Sequence, residues 1–331
     1  MFVVDSLPIA IVFCVITMIG WGSWANTQKL AGKEKWPFQL FYWDYAIGVC
    51  LFGLVFAHTL GSMGTAGVGT VENLHAAQWE FVIPALVSGA LFNLSNILLV
   101  VGIDEAGMSV AFPVGVGLAL VIGTVQSYVQ EPKGNAALLT AGVASIVGAM
   151  VFSSVAHRRL PKSGNKSPLR GLIFSVAAGC LMGLFYPQLM RSISPDFRSA
   201  PIRPGMLTPY VALFAFGVGV LGSNLVWNTI FMKTAKLGFG DYFKGSLKLH
   251  AIGVLGGCIW MLALSFNVLA SGVAGPAISY ALGQGATLVA ALWGVVIWRE
   301  FAGAPAGTGK FLGLMFACYG LGLFLIAEAT Q

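Results

Sequence analysis

The sequence predicts an all-α integral membrane protein with ten transmembrane helices arranged as a 5+5 inverted repeat. Three observations lead there. Ten apolar stretches are each long enough to cross a bilayer, which takes roughly 20 residues. Fourteen of the eighteen Lys and Arg fall in alternate connections between those stretches. One polar segment in the middle of the chain leaves five stretches on either side. Composition agrees: 57% of the residues are hydrophobic and 9% charged, whereas a soluble domain carries about 25% charged residues.

The stretches are 7–30, 38–60, 79–101, 107–128, 136–156, 170–190, 208–232, 248–270, 273–298 and 310–328. The first follows MFVVDSLPIA, which lacks the basic leader and small-residue cleavage site of a signal peptide, so it is expected to be retained. Lys and Arg cluster after the first, fifth, seventh and ninth stretches, most densely at Arg158, Arg159, Lys162, Lys166 and Arg170. The opposite side holds Lys133, Arg191, Arg198 and Arg203. The positive-inside rule then predicts a multi-pass cell (inner) membrane protein with both termini external, or periplasmic. The net charge of +6 reflects this anchoring rather than a nucleic-acid footprint, because no basic run lies outside short loops.

Residues 157–169 form the polar linker. The expected domains are 1–156, a first five-helix repeat; 157–169, a cytoplasmic linker; and 170–331, a second five-helix repeat. An odd number of spans in each half inverts one half relative to the other. GWGSWANTQKL in the first span parallels MGLFYPQLMRS in the sixth. Gly115-Val-Gly117 precedes Glu131 much as Gly283-Gln-Gly285 precedes Glu300. Inverted repeats of this kind place a substrate site near the midplane and support alternating access.

Polar side chains inside the spans supply the candidate site. Trp21, Trp24 and Gln28 are spaced three and four apart, so they share one helix face. Aromatic faces and an amide suit a small polar ligand; they equally suit an interfacial belt and helix–helix bonding. Asp44, in FYWDYAIG, is the one acid well inside a span. A charge there costs roughly 2.5–3.5 kcal/mol. It either carries a proton with the substrate or pairs with Lys29, Lys33 or Lys35 on the adjoining turn. Asn93 and Asn96 share a face of the third span. Asn224 and Asn228, with Trp227 beside them, share a face of the seventh, and Tyr280 and Gln284 do so in the ninth. These pairs line a cavity or tie helices together. Span eight holds His250, a candidate proton relay, then Gly256, Gly257 and Trp260. Pro113 and Pro187 are expected to interrupt their helices.

Other chemistries find little support. The five Cys lie inside spans without a CxxC, and the four His are scattered, so neither disulfides nor a metal is expected. APAGTGK (304–310) departs from the phosphate-loop pattern at Ala304 and Phe311. No cofactor is implied, and no paired acids, HExxH or Ser–His arrangement marks an enzyme.

These residues resemble the drug/metabolite transporter superfamily. GWGSWANTQKL followed by FYWDYAIG is similar to the first two helices of ureide-permease-like proteins, with Asp44 and Tyr45 on their aromatic-Asp-Tyr motif. SNILLVVGIDEAGMSVAFPVGVGLALVIGTV resembles that group and the bacterial rhamnose–proton symporter. LKLHAIGVLGGCIW resembles the symporter's eighth helix, with His250, Gly256, Gly257 and Trp260 in step. The resemblance implies a secondary active transporter importing a small polar solute, a sugar or a ureide or nucleobase, coupled to protons, with Na⁺ as the other candidate ion. Trp21, Trp24, Gln28, Asn93, Asn96, Asn224, Trp227, Asn228, Tyr280 and Gln284 are then the expected substrate-binding residues, and Asp44 and His250 the proton-coupling ones. The alternative within the fold is a drug or metabolite exporter, which favours a cavity of Phe and Met over these amides.

Overall fold

The computed structural model describes residues 1–160 and 168–330, without the side chains of Met108, Ser109, Phe112, Pro113 and Pro168. The regular elements among them are helices. In chain order they are α1 (Leu7–Ser23), α2 (Ala25–Lys33), α3 (Phe38–His58), α4 (Thr70–Ala76), α5 (Trp79–Ala106), α6 (Met108–Gln130) and α7 (Ala136–Arg158). Then come α8 (Pro168–Met190), α9 (Pro209–Thr234), α10 (Phe239–Tyr242), α11 (Leu247–Ala274), α12 (Pro276–Gly283), α13 (Ala286–Leu292), a π-helical turn (Trp293–Ile297) and α14 (Thr308–Glu328). Among the described residues, nine spans are long and apolar enough to cross a membrane, counting α1–α2 and α12 through the π turn as one each. Val114–Gln130 is a shorter apolar helix where the fourth of the ten expected spans falls.

Burial is the reverse of that in a water-soluble protein. Val55, Leu225 and Phe324 are more than half exposed, while Asp44, Asn93, Asn224 and Asn228 are buried. Lipid tails solvate the outer apolar face, and a polar side chain is retained only where protein surrounds it.

Helix interruptions fall elsewhere than the prolines. Pro187 stays inside α8, three residues from its end at Met190, where one missing N–H disturbs little. The side chain of Pro113 and the core of the central linker, 161–167, lie outside the described residues. The first span instead loosens at Trp24, whose carbonyl accepts from both the backbone N–H and the hydroxyl of Thr27, at 3.0 and 2.6 Å. The ninth loosens at Gln284, whose carbonyl accepts from the Thr287 backbone and hydroxyl at 3.2 and 2.9 Å. A Thr bonding three residues back draws the turn toward 3₁₀ geometry, a cause that needs no proline.

The chain forms two compact units, Met1–Asn93 with Gln188–Val273 and Leu94–Pro187 with Ala274–Gln331. Each therefore draws segments from both sequence halves. In the first unit, close helix contacts run through glycines. A Cβ on Gly257 of α11 would collide with the Tyr45 carbonyl of α3, and one on Gly48 with the Val254 carbonyl. Gly217 of α9 lies against the Cys50 backbone of α3, and Gly219 against the Leu86 carbonyl of α5. In the second unit, Gly142 of α7 and Gly322 of α14 meet the Ile326 and Ile146 side chains of each other's helix. Lipid tails give helices no hydrophobic reason to associate, so packing at small residues takes that place.

Candidate functional site

The α3–α11 contact brings together two residues 206 positions apart. Asp44 is 1% exposed. Its two carboxylate oxygens lie 3.0 and 2.9 Å from His250 Nδ1. A third group completes the cluster: the Tyr242 hydroxyl of α10 donates to Asp44 Oδ1 at 2.5 Å. A hydrogen bond to an ionised acceptor is about twice as strong as a neutral one, and a short distance is its usual mark. Gly253, one turn beyond His250, leaves the room that Asp44 Cβ occupies. On the adjoining turn, Glu34 pairs with Lys248 at 2.6 Å.

Aromatic packing holds this cluster. The His250 ring meets Trp36 and Tyr242 edge-on, at 5.8 and 4.7 Å. Leu40, Trp43 and Met232 form a buried core against which Trp36, Leu237 and Tyr242 pack. Phe239 adds a contact to Trp43 at 5.4 Å. Burial first, then the hydrogen bond to Asp44 and its charge, raise the Tyr242 phenol above its ordinary value. Tyr242 therefore serves as a donor across the physiological range.

A second cluster in the same unit combines aromatic rings with unpaired polar atoms. Trp260 of α11 stacks on Trp21 of α1 at 5.8 Å, on Phe92 of α5 at 4.0 Å and on Phe216 of α9 at 5.8 Å. One indole thus joins four helices. Trp24 meets Tyr45 at 4.9 Å. On the same helices, buried polar atoms lack a hydrogen-bond partner: Trp21 Nε1, Tyr45 Oη, Asn93 Oδ1, both amide atoms of Asn224, and Asn228 Oδ1. Such a group costs about 1–3 kcal/mol when nothing satisfies it, so several together ask for a polar occupant. The other halves of two amides are tied down. Asn93 Nδ2 donates to Ser223 Oγ at 2.9 Å, and Asn228 Nδ2 to the Gln39 carbonyl at 2.9 Å. Those bonds orient the free oxygens.

The remaining candidates divide. Gln28 and Trp227 are half-buried in the first unit. Asn96, Tyr280 and Gln284 are buried in the second unit. There the Tyr280 ring lies tilted against Tyr186 at 4.9 Å and its hydroxyl donates to the Ala119 carbonyl at 3.3 Å, which gives it a packing partner of its own. Sequence reasoning missed Tyr242 and left Trp260 outside the binding set. An aromatic in the Lys-flanked, Gly-rich segment GFGDYFKG was the available signal for the first, and three aromatic-bearing neighbouring spans for the second.

Apolar helices that enclose a carboxylate and several amides are those of a multi-pass membrane protein. Its similarity to known proteins points to transporters. The family model described as Ureide permease matches residues 41–163, the segment that carries Asp44, Asn93 and Asn96. Ureide permease 1 of Arabidopsis thaliana is 22% identical over the whole of this chain and 98% of its own. Ureide permease 4 of the same plant is 22% identical over 96% of each chain, and Ureide permease 2 is 23% identical over 91% of this chain and 92% of its own. A crystal structure of a protein 14% identical, covering 97% of this chain and 99% of that one, aligns with a TM-score of 0.66, a likeness of fold alone. The chain is ureide-permease-like, a transporter and not an enzyme.

Proposed function

We propose that this chain is a proton-coupled importer of a small, neutral, polar metabolite of the ureide class. The observation that carries this reading is the set of buried, partnerless polar atoms on α1, α3, α5 and α9, three of which the Trp260 aromatic stack joins to α11. A ureido group is flat, carries both N–H and C=O, and bears no charge. Trp21 Nε1 donates, the Asn93 and Asn228 oxygens accept, and Asn224 and Tyr45 do both. Donors and acceptors of these kinds match both sides of a ureide, and aromatic rings suit its plane. The names of the permease relatives agree with that chemistry. A sugar offers hydroxyls but no plane and fits the aromatic stack less well.

The Asp44–His250–Tyr242 cluster is the coupling centre in this reading. Asp44 carries the co-transported proton, with His250, 2.9 Å away, as its relay partner. Importing one proton across 100 mV releases about 2.3 kcal/mol, which sustains roughly a fifty-fold solute gradient before any pH difference is added. The halves 1–156 and 170–331 act as inverted repeats, with the termini outside the cell membrane.

Counterflow in proteoliposomes tests the reading. Vesicles are preloaded with allantoin as a ureide, uracil as a nucleobase or L-rhamnose as a sugar, and each is assayed with its own labelled form. Labelled allantoin is expected to enter transiently against its gradient, and an inward acid gradient is expected to turn that exchange into accumulation. Asp44→Asn should keep the counterflow and lose the accumulation. Counterflow of rhamnose alone would overturn the ureide assignment, and unchanged accumulation in the variant would remove Asp44 from coupling.

A further inference from the structure

Tyr242 lies outside every predicted span, yet it reaches the buried carboxylate. It is the last residue of α10, one helical turn in the connection between α9 and α11. Gly238, Gly240 and Gly245 punctuate that connection. Asp241 Oδ2 accepts from the Gly238 N–H at 3.0 Å and so closes the turn on itself. Three features tie the turn to the rest of the unit: the Phe239 and Tyr242 rings against the Trp43 core, the edge contact of Tyr242 with His250, and the Tyr242–Asp44 hydrogen bond. Of these, only the hydrogen bond depends on the charge of Asp44.

We infer that Tyr242 is a positioning residue that latches the α9–α11 connection to Asp44 and releases it when a proton neutralises the carboxylate. The inference rests on the transport reading above and adds to it the moving part. With Asp44 ionised, the hydroxyl donates to a charged oxygen and the connection is held shut. With the carboxyl neutral, the same contact becomes an ordinary hydrogen bond of about half the strength, and the glycine-flanked turn swings free. The titratable groups on Asp44 are Tyr242 from α10 and His250 from α11. Of the charges on the other neighbouring elements, Lys29, Lys33, Glu34 and Lys35 around α2, Lys233 in the last turn of α9 and Lys236 beyond it are all exposed. Lys244 is engaged by Asp241 and Lys248 by Glu34. Protonation of Asp44 is thus the charge change the latch feels.

Hydrogen exchange on the full chain in detergent tests this without a substrate. Amides of 238–246 are followed at neutral pH in the wild type, in Tyr242→Phe, which keeps the ring and loses only the hydroxyl, and in Asp44→Asn. Both variants are expected to exchange that segment roughly tenfold faster or more, the equilibrium equivalent of one hydrogen bond to a charged group. Amides in α5 and α9 should not change. Wild type should approach the variants on mild acidification, after correction for intrinsic rates, whereas Tyr242→Phe should show no further acid effect. Unchanged protection in Tyr242→Phe would overturn the latch, as would a global loss of protection, which would make Tyr242 part of the fold. Absence of ureide counterflow in wild type would overturn the transport reading while leaving this result intact.

Discussion

Replacing Gly257 with Ala should disconnect the carboxylate from the imidazole without touching either. The added Cβ would lie 2.8 Å from Val49 N and 2.9 Å from the Tyr45 carbonyl carbon, and nearer still to the Tyr45 oxygen. All three are backbone atoms, so no side chain can rotate aside. Ordinary carbon contacts begin near 3.5 Å, which requires α3 and α11 to part by more than about 0.6 Å. The Asp44–His250 contacts stand at 2.9 and 3.0 Å and pass out of the usual range near 3.2 Å, leaving only about 0.3 Å. The separation exceeds the tolerance, so the pair breaks. The variant should lose acid-driven accumulation, keep part of its counterflow, and be destabilised by about 1–3 kcal/mol from overpacking. Thermal melting in detergent and uptake across a stepped pH gradient measure the two effects. Gly313→Ala is the control, because nothing lies within 4 Å of its added Cβ. If Gly257→Ala melts and accumulates like wild type, the close α3–α11 approach does not position the pair.

Three further outcomes follow from the site. Asn224→Leu removes an amide whose two polar atoms are buried and unpartnered; it should raise the melting temperature yet raise KM about tenfold, and a fall in stability would show that the amide serves the fold. Trp21→Phe keeps a ring against Trp260 and deletes the indole N–H; ureide affinity should fall about fivefold to tenfold, and unchanged affinity would exclude that donor. The hydrogen bond from Lys244, then that from the Gly238 backbone, hold the Asp241 carboxyl below its ordinary value. Its folded value lies below its unfolded one, so the stability it lends α10 is present above the ordinary carboxylate range and lost as pH falls through the depressed value. Exchange of the α10 amides through this group should therefore rise only below about pH 4, and an Asp241→Asn chain that keeps the same acid transition would refute the assignment.

The sequence made the membrane class plain because one constraint, apolar length, repeats along the whole chain. It also exposed Asp44, since a lone acid in FYWDYAIG stands against its surroundings, and His250 by its place in a span. Their meeting was not legible, because it depends on Gly48, Gly253 and Gly257 letting two distant helices touch, and glycines in membrane helices are too common to single out a pair. Tyr242 was hidden for the opposite reason: it lies between lysines in a segment that reads as a loop, and only tertiary packing turns it inward. The amide faces at 93, 224 and 228 were visible as spacing. Which of their atoms would find backbone partners was not, because that is settled by the Val220 and Gln39 carbonyls on other helices or turns. The interruptions at Trp24 and Gln284 escaped because a Thr hydroxyl, rather than a proline, produces them.

The stack of Trp21 on Trp260, with ring planes 20° apart, has an optical consequence. Two indoles this close couple their electronic transitions, so the pair contributes a two-signed circular dichroism couplet at the strong far-ultraviolet indole transition, which isolated tryptophans lack. In the proposed site, a solute beside Trp21 would change that coupling. Subtracting the spectrum of a Trp260→Phe chain isolates the couplet from the other tryptophans, and occupancy of the protein can then be titrated with unlabelled solutes by their effect on its ellipticity.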